Sequence, residues 1–73
     1  MSGNETKHEK FIRLAENRVN NALKTIDLIG NLSNTNNYDF SEKEASKIIK
    51  TLKKSIDELE KKFMYSDKTS FKL

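Results

Sequence analysis

Five lysines, Lys43, Lys47, Lys50, Lys54 and Lys61, recur at i, i+3 and i+4 steps, with Asp57 interrupting them. Lysines at that spacing line one face of a helix and could track the phosphates of DNA or RNA. The same run also suits a solvated face. Asp57 and Glu58 sit four residues from Lys53, Lys54, Lys61 and Lys62 and are expected to pair with them locally. No aromatic side chain interleaves with the lysines, so base stacking is not indicated.

Arg18 offers a different chemistry. Its helical neighbours are Leu14, Ala15, Asn21 and Ala22, none of them acidic. An arginine without an acidic neighbour can hold a carboxylate or phosphate from outside the chain; Thr25 and Ser55 could add hydroxyl contacts, and Asn21, in the polar patch ENRVNN around Arg18, is a further candidate contact. Its alternative role is a packed stem with the head in water. Gly30, Asn31 and Tyr38, in the stretch IGNLSNTNNYDF, form a second candidate contact, because loops on rigid scaffolds often bind. Capture of a small anionic ligand between subunits is a third use for Arg18.

Catalysis and metal binding find little support. The chain has no cysteine, which removes disulfides, thiolate metal sites and a cysteine nucleophile. His8 is the lone histidine, and no glycine loop could cradle phosphate. A carboxylate pair such as Asp57 with Glu60 has no dry pocket to shift its pKa. A non-enzymatic protein without cofactor or metal is the expectation.

The elements that carry these residues follow from apolar rhythm. Ile12, Ala15, Val19, Ala22, Ile26 and Ile29 are spaced 3-4-3-4-3, and Ala45, Ile49, Leu52, Ile56, Leu59 and Phe63 are spaced 4-3-4-3-4. These are the seams of two amphipathic helices. Capping boxes mark their starts: Ser2 with Glu5 or Thr6 with Glu9 for the first, Ser41 with Glu44 for the second, where Phe40 and Ala45 occupy staple positions. Gly30 and Asn31 read as a left-handed C-cap. The asparagines of the connection suit turns, and Leu32, Tyr38 and Phe40 are expected to fold over the helix ends.

The fold expected is all-α, an antiparallel two-helix hairpin over about 6–30 and 41–64, with a flexible 1–5 segment and a 65–73 tail whose Tyr65, Phe71 and Leu73 could dock. In the hairpin Ile29 meets Ala45, Ile26 meets Ile48 or Ile49, Ala22 meets Leu52, Val19 meets Ile56 and Ala15 meets Leu59, so that small faces large. Phe11, Leu14, Leu23, Leu28 and Ile48 lie beside or behind the seam, where one partner helix cannot cover them. They predict an oligomer interface, most simply a dimeric four-helix bundle. A 73-residue chain without disulfides has few other routes to stability.

The charge of +3 is spread evenly. Residues 5–30 hold five basic and four acidic side chains, and residues 41–63 hold seven and five. A dedicated nucleic-acid binder would usually be more one-sided. No apolar run approaches a membrane span, and MSGNETKHEK lacks the apolar core of a signal peptide. A soluble cytoplasmic protein with no membrane partner is expected.

The segment from Leu14 to Ile49 resembles a short helical domain of bacterial and mobile-element hypothetical proteins. The resemblance rests on Arg18, Val19 and Asn20, on Ile29 to Asn34, and on Tyr38 with Phe40. It covers about half the chain and implies a fold unit without an activity. By analogy of size and type with phage and plasmid proteins, it suggests an inhibitor of host defence that occludes or sequesters a host protein or nucleoprotein. The alternative is a nucleic-acid-binding regulator using Lys43, Lys47, Lys50 and Lys54.

Overall fold

A computed structural model describes residues 4–64 and is all-helical, with no strand among them. It contains α1 (Lys7–Gly30), a 3-10 turn (Asn31–Ser33) and α2 (Glu42–Met64). The chain divides into two units, Met1–Asp39 and Phe40–Leu73.

In the first unit, α1 begins where its cap is strongest. Thr6 is extended at φ −76°, ψ 168°, and its hydroxyl accepts from the Glu9 amide at 3.0 Å. The Glu9 carboxylate in turn accepts from the Thr6 amide at 2.9 Å. Two amide groups that helical geometry leaves without partners are thus satisfied by each other's side chains. Of the two starts the sequence allows, the Thr6 box is therefore formed. Ser2 lies outside the described residues, as does the 65–73 tail with Tyr65, Phe71 and Leu73.

The expected left-handed cap at Gly30 and Asn31 is not formed. Gly30 is right-handed helical at φ −61°, ψ −30°, and Asn31 at φ −64°, ψ −19°. The Asn31 amide stays inside the helical pattern, donating to the Asp27 carbonyl. The chain then tightens into the 3-10 turn and leaves helical geometry at Asn34, where ψ reaches 102°. A tightened last turn satisfies terminal carbonyls without positive φ, so glycine is not required by conformation. A β-carbon on Gly30 would meet nothing within 4 Å. Gly30→Ala should accordingly stabilise α1 by about 0.5–1 kcal/mol, through the smaller entropy of the unfolded chain. Thermal unfolding followed by circular dichroism checks this, and a lowered midpoint would contradict the right-handed geometry.

Asn34 organises the turn that follows. Its side-chain oxygen accepts from the Asn36 amide at 2.9 Å, and its carbonyl accepts from the amides of Asn37 at 3.1 Å and Tyr38 at 3.0 Å. This is the local bonding that makes asparagine a turn residue. Leu32 and Tyr38, expected to be covered, remain 46% and 48% exposed.

In the second unit, Ser41 and Glu44 cap α2 reciprocally: the Ser41 hydroxyl accepts from the Glu44 amide at 3.0 Å and the Glu44 carboxylate from the Ser41 amide at 2.9 Å. Glu42 and Glu44 occupy the first turn, and Lys61 and Lys62 the last, each complementing the helix dipole. No described side chain is buried in either unit. The most enclosed are half-buried: Leu14, Ala15 and Ile29 on α1, and Ala45 and Leu52 on α2. All five belong to the two apolar stripes or their flank.

Candidate interaction surfaces

The two helices place the chemistry-bearing residues on separate faces. On α2, the apolar positions Ala45, Ile48, Ile49, Leu52, Ile56, Leu59 and Phe63 fill one arc. Lys43, Lys47, Lys50, Lys54 and Lys61 fall within an arc of about 60° on the opposite side, along roughly 27 Å of helix. Asp57 and Glu58 flank this row. The expected pairing of these carboxylates with Lys53, Lys54, Lys61 and Lys62 is not formed: Glu5 with Arg13 is the one ion pair among the described residues. Exposed i, i+4 pairs gain only about 0.3–0.5 kcal/mol and must hold two long side chains still, so solvation of both charges competes well.

On α1 the sequence-predicted contacts separate into two groups. Arg18, Asn21 and Thr25 share one helical face, at steps of three and four residues, with Leu14 and Leu28. The Thr25 hydroxyl donates to the Asn21 carbonyl at 3.0 Å. Gly30, Asn31 and Tyr38 belong to the end of the unit. There Gly30 is part of α1 and the Asn31 amide is bonded to α1 carbonyls, so the expectation that these two positions lie in a loop is corrected. Tyr38 is the exposed aromatic of that end. Of the expected interface residues, Phe11, Leu23, Leu28 and Ile48 are all exposed, with Leu28 at 60%, and Leu14 is half-buried.

The sequence reading missed one feature. Glu5, just ahead of the Thr6 cap, accepts from Arg13 through both carboxylate oxygens, at 2.8 Å from Nε and 2.9 Å from Nη2. Only the fork of arginine allows this paired geometry. The eight-residue separation hid it, since a pairing search at three and four residues does not reach across a cap. His8 and Phe11, three residues apart on α1, stack with ring centroids 6.4 Å apart.

The hydrogen bond from Arg13 holds the Glu5 carboxyl below its ordinary value of 4.5, and the charges of Arg13 and Lys10 act the same way. A carboxylate depressed in the folded state contributes stability above its unfolded pKa, and that contribution is lost as pH falls through the lower folded value. NMR titration of the Glu5 side-chain carboxyl should give a midpoint under 4.5 that returns to the ordinary range in Arg13→Ala. Identical titration in both chains would show that the pair does not persist in solution.

Among the described residues no three His, Cys, Asp or Glu side chains are grouped to hold a metal ion, and no helix is long and apolar enough to cross a membrane. Comparisons with protein-family models, with curated proteins and with solved structures give no match, and the helical faces themselves carry the functional reading.

Proposed function

We propose that this chain is a small non-enzymatic interaction protein that assembles with copies of itself and occludes or sequesters a partner. The observation that carries the reading is the apolar stripe on each helix, continuous over five turns or more and nowhere buried. Burying a single Leu or Ile side chain is worth about 1.5–3 kcal/mol. In proteins most helical stability comes from packing an amphipathic face rather than from intrinsic propensity. Association is therefore what gives the two helices a core: an antiparallel hairpin through the two seams, joined through Phe11, Leu14, Leu23, Leu28 and Ile48 into a dimeric four-helix bundle. The foreign partner is met by the Gly30–Tyr38 end, where Tyr38 offers an exposed aromatic. By analogy with small proteins of phages and plasmids, that partner is a component of a host defence system. The test is solution mass by light scattering at two protein concentrations. A stable multiple of the chain mass supports the assembly. A single-chain mass at both concentrations overturns it.

A second reading is favoured by one observation, that the five-lysine row of α2 makes no ion pair with its acidic neighbours. It would leave five cations available to the backbone of a nucleic-acid duplex, and the protein would be a regulator acting there.

A further inference from the structure

The polar residues of mid-α1 and the leucines at its ends form a single line. Phe11, Leu14, Arg18, Asn21, Thr25 and Leu28 follow one another at steps of 3-4-3-4-3, and Leu32 continues the line four residues on, in the 3-10 turn. This second ladder lies roughly 100° around the helix from the seam of Ile12, Ala15, Val19, Ala22, Ile26 and Ile29. A helix in a four-helix bundle meets its two neighbours on adjoining faces in this way. The seam can serve one neighbour and the ladder the other.

The ladder reads alike from both ends. Two apolar positions are followed by a polar one, then Asn21, then a polar one and two apolar positions. We propose that this face is self-complementary and that its occupant is a second copy of the chain, packed antiparallel about a two-fold axis at Asn21. The proposal rests on the assembly reading above and narrows its α1 interface to Phe11, Leu14 and Leu28, since Leu23 lies roughly 170° around the helix from this face. In this register Phe11 meets Leu32 of the second copy, Leu14 meets Leu28, Arg18 meets Thr25, and Asn21 meets its own counterpart. Every apolar residue faces an apolar one. The two Asn21 amides can donate to and accept from each other across the axis. The Thr25 hydroxyl has already spent its proton on the Asn21 carbonyl. Its lone pairs remain to accept from the guanidinium of the opposing Arg18, which has only donors to offer.

The alternatives are unfavourable on the same residues. A parallel pairing sets Arg18 against Arg18. A slip of seven residues sets Asn21 against leucine and leaves its amide without a partner. In the proposed register the two Arg18 side chains are held about 10 Å apart along the axis. A polar group that must find its partner across the interface disfavours every register that leaves it facing an apolar side chain. Arg18, Asn21 and Thr25, expected from the sequence to contact a foreign partner, thereby become the register device of the interface between copies.

The absence of cysteine makes the test direct. Asn21→Cys is oxidised mildly with oxidised glutathione, which accepts the two electrons and two protons released as the thiols join. Denaturing electrophoresis should then show a covalent dimer. Leu14→Cys and Leu28→Cys, each alone, should stay single, because each is about 20 Å from its own counterpart. An equimolar mixture of those two should give the mixed dimer, which also tests the register if Asn21→Cys does not fold. Self-linking by all three variants would show a parallel pairing and overturn the proposal. Failure of both Asn21→Cys and the mixture to link, in chains that retain a multiple mass, would overturn the register and leave assembly standing. A single-chain mass for the unmodified protein would overturn both.

Discussion

Leu52→Asp should abolish most of the helical ellipticity of the chain at 25 °C. Leu52 is at the centre of the α2 stripe and is half-buried already within its own unit. The substitution forfeits the roughly 1.5–3 kcal/mol gained by covering a leucine. It also asks a carboxylate to enter an apolar contact, at several kcal/mol more. A domain of this size has about 3–5 kcal/mol to lose. Leu52→Met, which conserves volume and apolarity, should cost less than about 1.5 kcal/mol and keep the fold. Circular dichroism and light scattering on the same samples decide the matter. Unchanged ellipticity and mass in Leu52→Asp would mean that the stripe is not a buried surface in solution.

Reversal of charge in the lysine row has the next largest expected effect, and it separates the two functional readings. If α2 tracks phosphates, Lys47→Glu with Lys50→Glu should weaken binding to a short DNA or RNA duplex by orders of magnitude at low salt. It should also reduce the slope of log affinity against log salt by about 2, one for each phosphate contact removed. The double variant should leave the solution mass unchanged, because both residues are opposite the apolar stripe. A duplex affinity that is absent in the unmodified chain, or insensitive to these substitutions, would eliminate the nucleic-acid reading. The interaction-protein reading would be untouched.

What could be read from the sequence follows the range of the interactions involved. The caps Thr6–Glu9 and Ser41–Glu44 were legible because each joins a residue to its third neighbour, a spacing fixed by helix geometry. The helix bounds, expected at about 6–30 and 41–64 and found at Lys7–Gly30 and Glu42–Met64, followed from them. The end of α1 was misjudged at Gly30, since glycine permits a left-handed cap without requiring one. The chain tightens into a 3-10 turn instead, which satisfies the last carbonyls without positive φ. The grip of Arg13 on Glu5 escaped notice because it crosses a boundary between non-helical and helical backbone. The role of Arg18 was the least legible: its helical neighbours Leu14, Ala15, Asn21 and Ala22 show what it lacks and do not name what it meets.

Among the described residues the caps and the turn close on near neighbours: Thr6 answers Glu9, Asn34 answers Asn36, and Ser41 answers Glu44. Such contacts need no distant residue to have arrived, so each can close as soon as its own few residues have left the ribosome. Helix formation from such starts takes about a microsecond or less. The encounter of two chains is far slower at cellular concentrations. Under the proposed assembly, refolding should therefore separate into a fast phase indifferent to dilution and a slow phase whose rate scales with protein concentration. The abundance of the protein, rather than the speed of its own folding, would then set when it becomes competent to act.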